Sequence, residues 1–201
     1  DADLTDADLR DADLTDADLY GADLTDADLR YADLTDADLE STVWINAMML
    51  YTDFTNAKLW YADFTNASMP GADFTNAQLL FADLTNTMLE SAYLTDASIE
   101  STDLTNAWLS MADLSGANLE QTTLTNTNLM YANLNDADLR YADLTDADIR
   151  YADLTDTNLE NADLTNADFE FATVINADFT ATTWSNTIWT DGITYNTNQA
   201  Y

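Results

Sequence analysis

The chain has 201 residues, of which 38 are Asp or Glu and 5 are Lys or Arg, for a formal net charge of -33. Hydrophobic residues still make up 47%, which excludes the apolar-poor profile of a disordered acidic tail. His and Cys are both absent, so disulfides, thiolate metal sites, cysteine nucleophiles and imidazole acid–base chemistry are excluded, and no stretch has the apolar length of a membrane span.

A chain this acidic and this apolar must separate the two kinds of residue with a strict period. That period is five. Taking Leu4 as the first centre, an apolar residue recurs at every fifth position through Trp189, giving 38 centres without a slip. Two positions before each centre stands Ala (29 times) or Thr (9 times), so the second member of the pair is always small. Five matches neither a helix face at 3.6 nor strand alternation at 2. It demands a chain that sends two of every five side chains inward and then turns a corner. One large and one small inward residue suit a narrow lumen that two bulky ones would overfill. The other three positions point outward and hold nearly all the charge. Asp stands just before the centre in 21 of the repeats, and Thr followed by Asp or Asn fills most alternate corners, as at Thr55-Asn56 and Thr145-Asp146.

In chain order, residues 1–40 repeat "DADLTDADLR" almost unchanged, which marks them as scaffold and places individual recognition residues after about residue 41. The first coil enters in full register at Asp1 with nothing over its edge, so an uncapped end open to stacking or filament growth is expected there. Next come the bulkiest centres, Trp44, Met49, Phe54, Phe64, Met69 and Phe74, which are read as packed core rather than a ligand pocket. The repeats run on to residue 191. Residues 192–201 form a polar tail or lid, after Trp184 and Trp189 as oversized last centres.

The runs "ADLTDADLRYADLTDADLE" and "ADFTNASMPGADFTNAQLLFADLTN" resemble the pentapeptide-repeat family, whose motif is A(D/N)LXX. The ending "NTIWTDGITY" is similar to the finish of many cyanobacterial members, with Thr190 where a Pro would stand. The resemblance covers residues 1–191. It implies an all-β fold, a right-handed quadrilateral β-helix (solenoid) with four pentapeptide repeats per coil and one per face. The repeats then make about 9.5 coils, and at about 4.8 Å per coil a rod roughly 45 Å long.

With 20 residues per coil, positions 20 apart stack. The first and third faces then carry opposed Asp ladders, for example Asp63, Asp83 and Asp103 against Asp53, Asp73 and Asp113. Charges about 4.8 Å apart repel by roughly 0.9 kcal/mol in water, so raised carboxylate pKa values and stabilisation by salt are expected. Divalent cations are expected to bind weakly and diffusely, with no specific metal site and no cofactor. The second face differs. It and its adjoining corner place Met48, Leu50, Tyr51, Met88, Trp108, Met111, Met130 and Tyr131 in outward slots, types enriched at interface cores. A smaller group, Trp60, Tyr61 and Phe81, lies on the diagonal corner.

These features predict a non-enzymatic structural or protein-binding rod, with a protein partner or self-association at the second face. Carboxylates recur everywhere, so no pair is set apart in a cleft as an acid–base dyad requires. Repulsion excludes direct nucleic-acid binding. The resemblance offers an alternative, since some members of the family mimic duplex DNA in charge and bind DNA gyrase. The scarcity of Lys leans towards an exported setting.

Overall fold

In a computed structural model that describes residues 2–198, the chain winds into a β-helix in which each residue before a centre pairs with the residue 20 positions on. Asp1 and residues 199–201 lie outside the described residues, and with them the first residue of the expected uncapped coil and the end of the expected tail. The single-residue parallel bridges form four columns, starting Asp3↔Asp23, Asp8↔Asp28, Asp13↔Asp33 and Asp18↔Asp38, and the last is Asp168↔Ile188. Among the described residues no helix is long and apolar enough to cross a membrane.

One repeat shows why five residues suffice. The Asp23 N–H donates to Ala2 O at 2.9 Å, Leu24 N–H to Val43 O at 2.7 Å and Asp26 N–H to Ile45 O at 2.9 Å, so these three tie the coil to its two neighbours. The Ala22 N–H closes the preceding corner on Leu19 O at 2.9 Å. Only the Thr25 N–H has no backbone acceptor, and its own neighbour Asp23 supplies one, Oδ1 at 3.0 Å. Closing so tight a corner requires a left-handed residue. From Asp6 to Asn186 every fifth residue has positive φ, between 54° and 65° outside glycine. This accounts for Asp and Asn at the Thr-Asp and Thr-Asn corners, since they tolerate that region best after Gly.

The centres and the small residues two before them fill the lumen. From Ala22 onwards almost all are buried, whereas Leu4, Leu9, Leu14 and Leu19 of the first coil are only partly so. Trp44 and Phe64 stack at 5.6 Å between centroids, Phe54 and Phe74 stack at 4.7 Å, and the two stacks meet edge-to-face at about 6 Å. The expected core reading of these residues matches their burial. Thr at a small inward position has its own logic. Thr42 Oγ1 accepts the Trp44 indole N–H at 2.6 Å and donates to Leu39 O at 2.6 Å. The same pair recurs at Thr182 and Trp184. Thr87 likewise donates to Leu84 O within its own coil at 2.7 Å, and the remaining buried Thr hydroxyls donate to a carbonyl of a neighbouring coil, as Thr52 does to Leu29 O at 2.8 Å.

At the far end, Phe169, Phe179, Trp184 and Trp189 form a second ring cluster with centroids 4.9–6.2 Å apart. Strand β1 (Thr187–Ile188) pairs antiparallel with β2 (Thr194–Tyr195) through a turn at Gly192, whose φ of 75° favours glycine. Tyr195 packs against the core, and Asn198 Nδ2 donates to Phe179 O at 2.7 Å.

Candidate functional site

The residue before each centre carries the outer surface, and the fold gives it a task. Where it is Asp or Asn, its Oδ1 accepts the N–H two residues on, as from Thr35 to Asp33 at 2.9 Å and from Met130 to Asn128 at 3.1 Å. A Thr at that corner often adds its hydroxyl, as Thr65 does to Asp63 at 2.6 Å. Each ladder carboxylate is therefore a cap for the one backbone donor that the coil-to-coil ladder leaves over.

This overturns the expectation of raised carboxylate pKa values wherever a shift is resolved. The Arg10 side-chain hydrogen bond, with the Arg10 backbone N–H, draws Asp8 down to about 2. Asp3, Asp33 and Asp178 are lowered by the hydroxyl and N–H of the Thr two residues on. Asp28 is lowered chiefly by the Arg30 side chain. At Asp138 burial pushes upward, but hydrogen bonds from Arg140 hold it low. At these six carboxylates donated hydrogen bonds outweigh repulsion because they are direct, while the repulsion acts through water.

A lowered folded pKa means stability that is present above the unfolded value and lost as pH falls through the folded one. The melting temperature should therefore fall between the ordinary Asp value of 3.8 and about 2, the value at Asp8. Thermal melts across that window check it, and a melting point that keeps rising to the acid end would show that relief of repulsion dominates.

The second column abandons the cap over the longest run, while the fourth does so at Lys58, Gln78 and Ser98, where polar side chains stand instead. At Met48, Ser68, Met88 and Trp108 four successive members of the second column lack a carboxylate or amide. Trp108 is 56% exposed and Met111 64%. Met48, Tyr51, Met88 and Tyr131 are exposed as well, whereas Leu50 and Met130 are half-buried. Met130 is covered by Arg150, whose Nη2 lies 3.5 Å from the thioether sulfur.

The eight predicted residues form two groups rather than one strip. Met88 bridges Trp108, and Met111 N–H donates to Met130 O at 2.9 Å, which joins Met88, Trp108, Met111, Met130 and Tyr131 across adjoining coils. Met48, Leu50 and Tyr51 lie nearer the N-terminus, with Ser68, Pro70 and Gly71 on the coil between. The gap is partly spanned, because the Tyr51 ring lies where a side chain on Gly71 would be.

Sequence reasoning missed the depth of the aromatic corners. Tyr131, Tyr151 and Phe171 stack continuously at 4.9 and 5.0 Å, and Tyr31 stacks on Tyr51 at 5.9 Å. Spacing of 20 alone places Phe171 next after Tyr151. The smaller group keeps its Tyr61–Phe81 stack at 5.4 Å, with Trp60 beside it in sequence.

Set beside known proteins, this architecture defines a class. The model of the family described as pentapeptide repeats matches in 8 copies over residues 2–40, 51–80, 81–110, 109–146 and 142–180, passing over 41–50, where the second column first departs from Asp. The chain belongs to the pentapeptide-repeat family, and its coil is a right-handed β-helix. Among solved structures it is similar to HetL, a pentapeptide repeat protein involved in heterocyst differentiation regulation from the cyanobacterium Nostoc sp. strain PCC 7120. That match is at 30% identity over 96% of this chain and 92% of HetL, with a TM-score of 0.48. It is similar in fold to full-length QnrB1, a plasmid-mediated fluoroquinolone resistance protein, at 21% identity over 81% of this chain and 84% of that one, with a TM-score of 0.72. A search of the curated proteins found no match.

Proposed function

We propose that this chain is a non-enzymatic rod that binds a protein partner through the column of Met48, Met88 and Trp108 and the adjoining corner of Leu50, Tyr51, Met111, Met130 and Tyr131. The observation that carries the reading is the loss of the capping Asp at four successive members of one column. A repeat that gives up its own structural rule and exposes indole and thioether groups instead is under another requirement. A non-catalytic role is supported by a sequence without His or Cys, and by ladder carboxylates already engaged with corner N–H groups.

The rod in this reading is square in section, with about 9.5 coils over roughly 45 Å. Residues 192–198 act as a lid over the second ring cluster, a role supported by the packing of Tyr195 and the Asn198 hydrogen bond to Phe179. Diffuse cations screen its charge without a specific site.

Hydroxyl-radical footprinting of the chain, purified and in extract of its native cells, tests the face. Protection of Met48, Met88, Trp108 and Met111 in extract, with Phe171 and Trp60 oxidised equally in both, is the expected result. Uniform oxidation of all six in both samples would sink it.

Charge density favours a second reading. A net charge of -33 over roughly 45 Å is about 0.7 per Å, close to about 0.6 for duplex DNA. The rod on this view is a DNA mimic that occupies the DNA-binding surface of a topoisomerase. A gyrase supercoiling assay that shows neither inhibition nor protection at micromolar protein removes it.

A further inference from the structure

We infer that the partner taken by this face is a cationic amphipathic helix lying parallel to the rod axis. The inference rests on the face proposed above and adds the chemistry and shape of what covers it. Two independent features support it, charge on the flanks and spacing along the axis.

The apolar column is bordered by ladder carboxylates on both sides, Asp63, Asp83 and Asp103 in one neighbouring column and Asp53, Asp73 and Asp113 in the other. Each of the six caps its corner through Oδ1. Among the described residues none of these six uses Oδ2 in a hydrogen bond or ion pair, so each can receive an ammonium or guanidinium without giving up its structural role. The basic side chains stacked with or near this face are engaged with carboxylates of their own, Arg30 with Asp28 at 2.6 Å and Arg150 with Asp148 at 2.6 Å, and Lys58 of the fourth column holds Asp38 at 3.6 Å. A second copy of the chain is the wrong occupant. It would bring its own -33 and set one pair of ladders against another.

Spacing selects a helix among cationic partners. Successive members of the column are one coil apart, about 4.8 Å. A helix rises about 5.4 Å per turn, so residues at i, i+3, i+4 and i+7 present about one apolar group per coil. Same-side residues of an extended strand are roughly 6.8 Å apart and fall out of step within two coils. From Met48 to the coil of Asn128 is four steps, roughly 19 Å, the length of a helix of about 13 residues. Such a helix would set apolar groups over Met88 and Trp108 and basic residues towards the two Asp ladders.

Three synthetic peptides of about 16 residues and equal Lys content test this by fluorescence anisotropy at physiological salt. The first carries Leu and Trp at i, i+3, i+4 and i+7. The second has the same composition shuffled off one face, and the third has Ser in place of the apolar residues. The first should bind the full chain at least roughly tenfold more tightly than the others, and Trp108→Asp should weaken it by roughly tenfold or more.

Trp108→Asp is informative because it adds a negative charge and returns the corner cap. Diffuse attraction would then strengthen, and the fold should keep its melting temperature. Met111→Ser gives the same readout without added charge. Equal binding of the three peptides, or binding that Trp108→Asp leaves unchanged or tightens, overturns the inference. If the peptides fail while footprinting protects Met88 and Trp108, the face stands and the partner class is wrong. If footprinting fails too, both fall.

Discussion

Phe54→Ala should destabilise the chain by about 3–5 kcal/mol, the range for emptying a buried aromatic site in the lumen. Phe54 is fully buried, stacks on Phe74 at 4.7 Å and meets Trp44 and Phe64 edge-on at 5.8 and 6.2 Å, so its removal empties the middle of a herringbone of rings. Collapse cannot close the void, because the backbone around it is held coil to coil by hydrogen bonds of 2.6–3.1 Å. In a solenoid each coil touches only its neighbours, so the damage should also be local. Hydrogen exchange should speed up around residues 44–74 and change little beyond residue 120. Urea unfolding gives the total. A loss below about 1 kcal/mol would mean that the lumen is looser than its burial indicates.

Ala107→Leu should fail in the opposite way. Ala107 is fully buried, and the residues 20 positions before and after it, Thr87 and Thr127, are buried with their hydroxyls bonded to Leu84 O and Leu104 O. Three added carbons must displace one of those hydroxyls or push the coil outward. Overpacking costs about 1–3 kcal/mol, and the upper end applies where both neighbours carry hydrogen bonds that would break. The same side chain introduced at exposed Gln121 should change stability by no more than about 0.5 kcal/mol. Equal effects at the two sites would remove the small-residue rule as an account of the period.

The fold was largely legible in the sequence because the five-residue period is itself the separation of inside from outside. Leu24 and Ala22 declare themselves inward by size and recurrence alone. The task of Asp23 was not legible. Its carboxylate reads as exposed charge until the ladder shows that Thr25 N–H is the one donor left over, and at Asp33 the same kind of cap lowers the pKa against the expected direction. The pairing of Trp44 with Thr42 had a signal, since Thr stands two before Trp184 as well, but only burial shows that the indole N–H needs an acceptor there. At the candidate face the residue types were readable. Its division in two follows from Ser68, Pro70 and Gly71, while the reach of the Tyr51 ring over Gly71 is a matter of rotamer, which spacing does not specify.

The parallel bridges repeat at an interval of 20 residues without exception among the described residues. The molecule is therefore graduated like a ruler. Duplicating residues 21–40 would slide Trp108 along the axis by about 4.8 Å at constant azimuth, while inserting ten residues would swing it half a revolution. Length and bearing can thus be altered separately, by whole and half units, without touching a single recognition residue.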